Sequence, residues 1–161
     1  MRIREFSCEI FLPSPPEEVF PFFADAGNLN AITPPWLHFR IITPQPIEMR
    51  VGTLIDYWLR LHGFPIRWRT RISEWQPPHR FVDEQVRGPY LQWIHTHTFE
   101  AHRGGTLARD FVQYAVPLDC ITYPLFVRRG IERIFAFRKE ALLQQLFIKQ
   151  CGAPSARSPK R

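Results

Sequence analysis

Between residues 3 and 116 the chain contains a series of short runs with mostly period-two patterns, which is typical of strands, although apolar and polar residues do not alternate cleanly in them. The alternation predicts a first strand over 3–12 and another over 37–42. Five more strands follow, with short joints that contain Gly or Pro: 53–61, 66–75, 81–87, 91–101 and 106–116. Because short joints favour antiparallel neighbours, the pattern predicts a seven-stranded antiparallel sheet.

Helical periodicity occurs at two places. Prolines and acids at 15–18 begin a short helix over the apolar residues at 19–23, and a second short helix is predicted over 29–33. After Pro117 one long helix is predicted to about Phe147, with an apolar stripe made of Val127, Ile131, Ile134, Phe135, Leu142 and Leu146. The fold class is therefore α+β. One helix, about 45 Å long at 1.5 Å per residue, covers a curved sheet but cannot fill its concave side, so we expect a cavity.

Ionisable and aromatic side chains share one face on three adjacent predicted strands. Successive side chains of a strand point to opposite sides, which groups alternate residues into these sets: Phe81, Asp83, Gln85 and Arg87; Leu91, Trp93, His95, His97 and Phe99; Ala108, Asp110, Val112, Tyr114 and Val116. Buried charge is costly unless it is paired. Such a face is more typical of a cavity wall than of a solid core.

The order of elements is the helix-grip arrangement, and several stretches resemble the SRPBCC superfamily of START-like lipid-transfer, pollen-allergen-like and polyketide cyclase-like proteins. More narrowly, the chain is similar to a bacterial group of small ligand-binding domains in that superfamily. The stretches that carry the resemblance are 18–23, 28–29, 33–36, 77–83, 88–90, 93–99, 105–106, 127–129 and 134–135, within about residues 3–147. The resemblance implies an internal pocket for a hydrophobic or amphipathic molecule, such as a lipid, without fixing a reaction.

Three functions follow as hypotheses. The first is a carrier or sensor that binds a hydrophobic or amphipathic small molecule between the sheet and the last helix. The alternative is a cyclase- or hydrolase-type enzyme, with His95 or His97 as the base and Asp83 or Asp110 orienting it. The third is a protein-interaction module that uses the basic C-terminal helix and tail.

The candidate ligand-binding residues combine aromatic rings with polar groups: Tyr57, Trp68, Asp83, Gln85, Arg87, Trp93, His95, His97, Phe99, Asp110, Val112, Tyr114 and Arg138. Arg138 lies in the apolar stripe of the last helix, seven residues after Ile131 and four before Leu142. It should face the sheet and pair with Asp110 or Asp83 as a fork. Alternatively, its side chain extends to the cavity mouth and meets an anionic ligand.

The His-x-His pair raises the question of a metal. His95 and His97 share a face and, with Asp83 or Asp110, form a plausible zinc or iron site. However, the pattern places no third histidine there, and the resemblance implies no metal. We therefore expect no metal and no cofactor, and favour a hydrogen-bonded pair that orients a ligand. A glycine-rich phosphate loop, a dinucleotide fingerprint and a GxSxG elbow are absent from the sequence.

Length and charge define the organisation of the chain. Its 161 residues fit one domain, 1–150, followed by a basic tail, 151–161, that we expect to be disordered. Residues 1–127 hold 12 Lys/Arg against 13 Asp/Glu, whereas residues 128–161 hold 9 against 2. The net charge of +6 therefore belongs to the last helix and tail. A solvated helix face is the favoured interpretation, since no nucleic-acid-binding signature accompanies it.

The sequence also bears on the cellular location and the oligomeric state of the protein. The first residues, MRIREFSCEIF, lack a signal-peptide pattern, and charges or prolines interrupt every apolar run before it could span a membrane. Cys8, Cys120 and Cys151 match no zinc or redox spacing, so reduced thiols are expected. These features favour a cytoplasmic protein without an integral membrane segment or a nucleic-acid partner. It could be a monomer or a homodimer.

Overall fold

Seven strands form one sheet in the computed structural model, which describes residues 1–151 and the side chains of residues 1–146. Every pairing is antiparallel, and the order across the sheet is β1-β7-β6-β5-β4-β3-β2. The strands are β1 (Arg4–Leu12), β2 (Arg40–Ile41), β3 (Leu54–Leu61), β4 (Phe64–Gln76), β5 (Arg80–Arg87), β6 (Gln92–His102) and β7 (Gly105–Ala115). The predicted curved seven-stranded sheet is confirmed.

Helices occupy the two predicted places in the chain. After β1 come α1 (Pro16–Ala24) and a 3₁₀ helix (Ala26–Ile32), and after β7 come α2 (Asp119–Thr122), a π-helical turn (Tyr123–Val127) and α3 (Arg128–Cys151). None of the helices within residues 1–151 is long and apolar enough to cross a membrane. The tail predicted over 151–161 lies outside the described residues, except for Cys151, the last residue of α3.

The strand predicted over 37–42 is largely wrong. Only Arg40–Ile41 pairs with β3, and a 3₁₀ turn, Pro35–Leu37, precedes it. Two consecutive prolines start this turn, and His38 then adopts a left-handed conformation with φ of 45°. A β-strand needs extended backbone at every position, so pairing begins only after these residues.

Two apolar clusters attach α3 to the sheet. Ile131 and Phe135 pack with Val112, Tyr114 and Val116 of the β7 region. One to two turns later along the helix, Ala141 and Leu142 pack in a cluster that also contains residues of β1 and α1. Each fully buried large apolar side chain contributes about 1.5–3 kcal/mol. These clusters hold α3 across the sheet, and Arg138 lies between them in the sequence.

Candidate functional site

A cavity of about 180 Å³ lies between the sheet and the middle of α3. Most of its wall is apolar, but seven of the predicted binding residues line it: Tyr57, Trp68, Asp83, Trp93, His95, His97 and Arg138. Five of these seven carry an ionisable group, and four of them lie on β5, β6 and α3. The cavity therefore combines an apolar wall with a polar region.

Strand register brings two acids and two histidines together. Asp83 on β5 is directly opposite His95 on β6, and His97 on β6 is directly opposite Asp110 on β7. Residues two apart on a strand share a face, so the two imidazoles are neighbours, with ring centroids 3.9 Å apart. We call these four residues the His–Asp tetrad.

Each carboxylate of the tetrad contacts both imidazoles. Asp110 Oδ1 lies 3.0 Å from His95 Nε2 and 2.7 Å from His97 Nδ1. Asp83 Oδ2 lies 3.2 Å from His97 Nε2 and 3.6 Å from His95 Nδ1. The 2.7 Å contact is short but poorly aligned for a hydrogen bond, so we treat it as a contact between charges. Each ring thus has one nitrogen facing Asp110 and the other facing Asp83.

Neighbouring side chains fix the orientation of the tetrad. Phe81 stacks on His97 with centroids 4.1 Å apart and planes 19° apart. Phe135 of α3 meets His95 edge to face at 5.5 Å. Thr70 Oγ1 lies 3.2 Å from Asp83 Oδ1 and 3.0 Å from the backbone carbonyl of Glu84, so the two oxygens share its one proton, and Oδ2 of Asp83 is left to the imidazoles. The polar groups are therefore held in place before any ligand binds.

Burial and mutual charge set the protonation of the tetrad. Burial alone would raise the pKa of Asp110, but the charge of His97 and the close contacts with both imidazoles hold that pKa well below its usual range. The pKa of Asp83 is lowered in the same way, since the hydrogen bond from His97 and the charges of both rings outweigh burial. Both acids are ionised at neutral pH.

The two histidines shift in opposite directions. Burial, followed by repulsion from His97, lowers the pKa of His95. Burial also disfavours charge on His97, but the charge of Asp110 and the close contacts with both acids outweigh it and raise the pKa of His97. Of the two rings, His97 therefore holds a second proton more readily than His95.

Arg138 faces the sheet as predicted, but the predicted ion pair is wrong. Among the described side chains, no carboxylate oxygen lies within 4.0 Å of its guanidinium, and its buried Nε has no hydrogen-bond partner. Its charge still contributes to the lowered pKa of Asp83 and of Asp110. The acids already bond to His95, His97 and Thr70, so neither is free to form a fork with an arginine.

Two predicted residues at the end of β5 do not reach the cavity. Gln85 folds back on the β5–β6 turn, where its amide donates to Tyr90 O at 2.8 Å and accepts from Tyr90 N at 3.2 Å. Arg87 is exposed. The β5–β6 pairing stops at Glu84, opposite Ile94, so the last residues of β5 leave the shared face.

Four further predicted residues lie behind the cavity wall rather than in it. Phe99 is buried against Phe81 and α1, and Val112 and Tyr114 pack under α3. Asp110 contacts the cavity only through His95 and His97. Close packing of α3 on β7 fills this part of the concave side. The cavity is consequently displaced towards β3, β4 and β5.

Three residues that contact the tetrad were not among the predicted binding residues. Thr70 orients Asp83, Phe135 contacts His95, and Phe81 covers His97. Alternation could have indicated Thr70, because it lies two residues after Trp68 on β4 and shares its face. Phe135 belonged to the predicted apolar stripe of the last helix. Phe81 was grouped with Asp83 on the predicted cavity-wall face but was not named as a binding residue.

Cys8 adds a neutral thiol behind the tetrad. Its Sγ lies 3.9 Å from Asp110 Oδ2, and burial, followed by the charge of Asp110, raises the pKa of the thiol to about 12. Alkylation requires the thiolate, and only roughly one thiol in a thousand is ionised three pH units below its pKa. We expect iodoacetamide at pH 9 to label the exposed Cys120 and to spare Cys8 in the native protein.

Peptide mapping by mass spectrometry measures this labelling at each cysteine separately. Labelling in guanidinium chloride is the control, because unfolding should make Cys8 as reactive as Cys120. Equal rates at Cys8 and Cys120 in the native protein would contradict the prediction.

No family model matches the sequence, and the curated proteins contain no match to it. Solved structures do resemble it. Ara h 8.0201, a Bet v 1-like protein, has a TM-score of 0.66 at 16% identity, over 91% of this chain and 99% of that chain. The major latex-like protein 151 of Panax ginseng has a TM-score of 0.67 at 10% identity, over 89% and 97%.

A third similar structure is the norcoclaurine synthase of Thalictrum, with a TM-score of 0.67 at 14% identity, over 92% of this chain and 97% of that chain. Identities this low establish the architecture alone. The shared features are the seven-stranded antiparallel sheet and the long C-terminal helix that closes it. The chain therefore has the helix-grip fold that these Bet v 1-like structures share.

Proposed function

We propose that this protein binds a small amphipathic molecule with an anionic or strongly hydrogen-bond-accepting head group, in the cavity beneath α3. The observation that carries the proposal is a pair of buried donors that line the cavity without partners among the described side chains: Arg138 Nε and Trp68 Nε1. A buried donor left without an acceptor costs about 1–3 kcal/mol. A ligand oxygen would remove that cost.

The size and lining of the cavity support a modest ligand. At about 180 Å³ it is slightly larger than an apolar cavity of about 150 Å³ that holds benzene. Tyr57 and Trp68 stack at 6.0 Å, and Trp93 meets Trp68 edge to face at 5.6 Å. An aromatic ring or a short acyl chain would bury its apolar part there, at about 25 cal/mol per Å² of surface.

The charge balance supports an anionic head. Arg138 carries a positive charge, which contributes from a distance to the lowered pKa of Asp83 and of Asp110. It forms no ion pair with either acid. Its hydrogen-bonding capacity therefore remains available to a carboxylate or phosphate, which arginine binds with charge-assisted bonds.

An enzyme of cyclase or hydrolase type is the second candidate. It is favoured by one observation: both imidazoles that line the cavity are held by carboxylates, as a general base must be. The similar structure named norcoclaurine synthase is an enzyme, so the fold accommodates both roles. An enzyme should lose turnover in His97→Gln while the protein still binds ligand.

Titration of the protein with a matched pair of probes tests the first proposal. Phenylacetate and 2-phenylethanol have similar shapes and differ in the charge of the head group. We expect both to perturb NMR signals of cavity residues, with phenylacetate binding at least about tenfold more tightly, as a charge-assisted hydrogen bond predicts. Native mass spectrometry of freshly purified protein should also detect a retained small molecule.

The result that would contradict the proposal is equally specific. If neither probe perturbs the signals of Trp68, Trp93 or Tyr57, the cavity does not bind this class of ligand. If 2-phenylethanol binds as tightly as phenylacetate, Arg138 does not bind the charged head group, and the anionic part of the proposal fails.

A further inference from the structure

We propose that Asp83, His95 and His97 form a binding site for a divalent transition-metal ion of the zinc or iron(II) class, with Asp110 as the positioning residue behind both imidazoles. The three ligand atoms lie within 4.8 Å of one another. All three residues line the cavity, so an ion there would keep coordination positions open towards a ligand.

The separations fit an ion in the middle of the set. Ligand distances of about 2.0–2.2 Å place neighbouring donor atoms about 3.0–3.5 Å apart in tetrahedral or octahedral geometry. Asp83 Oδ2 lies 3.2 Å from His97 Nε2 and 3.6 Å from His95 Nδ1. Both carboxylate–imidazole separations are close to this range, and the two imidazole nitrogens lie within 4.8 Å of each other, so an ion would draw the rings together.

The groups behind the ligands are those that metal sites use. A ligating imidazole usually donates its other ring N–H to a carboxylate, which fixes the orientation of the ring. Here Asp110 Oδ1 is hydrogen-bonded to His95 Nε2 at 3.0 Å and lies 2.7 Å from His97 Nδ1, which needs only a change of alignment to donate to it. Thr70 holds the other oxygen of Asp83.

The donor set also indicates which ion would bind. Two imidazole nitrogens and one carboxylate suit zinc, iron(II) or cobalt(II), whereas calcium and magnesium prefer sites made of oxygen. His95 and His97 are 5% and 3% exposed, so the three ligands are not a cluster of surface side chains. The set resembles three-ligand sites with open positions rather than closed structural sites.

Cobalt(II) is the probe, because its visible absorption reports its ligands. The full-length, tag-free protein is treated with a chelator, dialysed and titrated with cobalt chloride. We expect one ion per chain, with d–d bands of a nitrogen- and oxygen-ligated ion, and displacement of cobalt by zinc. Asp83→Asn should weaken binding roughly 100-fold or more, and Asp110→Asn by about 10–100-fold, the usual effect of losing an outer partner.

His79→Gln is the matched control, since His79 is exposed in the β4–β5 turn and lies outside the tetrad. It should bind cobalt like the wild type. Near-UV circular dichroism shows whether each variant is folded. The proposal would be overturned if the wild type does not bind cobalt, or if a folded Asp83→Asn variant binds cobalt as tightly as the wild type.

A second measurement needs no variant. In the cobalt complex, proton NMR should show two hyperfine-shifted, exchangeable imidazole N–H signals, one from His95 Nε2 and one from His97 Nδ1, both protected by Asp110. Absence of both signals would also overturn the site. Phenylacetate binding is measured in the presence of chelator, so failure of the metal site leaves the proposed ligand-binding function to its own test.

Discussion

Asp110→Asn should lower the free energy of unfolding by about 3 kcal/mol, because removing one partner of a buried charge network leaves the others uncompensated. Asp110 is 9% exposed, and its carboxylate faces a nitrogen of both His95 and His97. The asparagine keeps the shape of the side chain but removes the charge that raises the pKa of His97. Urea denaturation in chelator-containing buffer measures the loss without any contribution from a metal.

Glu9→Gln is the matched control for this prediction. Glu9 also accepts from a basic side chain, Arg109, at 2.6 Å, but both side chains are substantially exposed. Surface pairs contribute about 0–1 kcal/mol, so this variant should be less than about 1 kcal/mol below the wild type. If both variants lose a similar free energy of unfolding, the tetrad stabilises the protein no more than an exposed ion pair does.

Much of the tetrad could be predicted because strand geometry is regular. Period-two alternation assigned Asp83, His95, His97 and Asp110 to one face, and short joints indicated that their strands are neighbours. The structure confirms that placement through the pairs Asp83–His95 and His97–Asp110. What alternation cannot provide is register, so the sequence did not show which acid faces which ring nitrogen.

Errors arose where regular pairing ends. Gln85 and Arg87 continue the alternation of Asp83, but β5 separates from β6 after Glu84 and the β4–β5 ladder shifts register between Arg69 and Thr70. Bulges and strand ends depend on twist and on neighbouring strands. A single sequence contains little information about them, which is why the cavity boundary was misplaced here.

The position of Arg138 shows a second limit. Helical periodicity predicted correctly that it faces the sheet, since it shares the stripe of Ile131 and Leu142. Whether Arg138 pairs with an acid depends on how deeply α3 packs against the sheet. It also depends on whether the acids are already bonded to His95 and His97. Those are properties of the assembled core. The unpaired guanidinium that resulted is the feature on which the proposed function depends.

Arg138→Gln should weaken phenylacetate binding by about 10–100-fold while changing 2-phenylethanol binding by less than about threefold. A hydrogen bond to a charged group contributes about 1.5–3 kcal/mol, and glutamine keeps a donor but removes the charge. The described contacts include no hydrogen bond or ion pair for Arg138, so the substitution leaves no protein acceptor without its donor. The ratio of the two dissociation constants is diagnostic, because general damage to the cavity would weaken both probes alike.

Arg129→Gln is the control on the same helix, since Arg129 is exposed and does not line the cavity. It removes the same charge from the basic surface and should leave both dissociation constants unchanged. If Arg129→Gln weakens phenylacetate as much as Arg138→Gln does, the preference for the acid arises from the net positive charge of the helix. If only Arg138→Gln does so, the anion contacts a guanidinium inside the cavity, at the polar region formed by Asp83, His95 and His97.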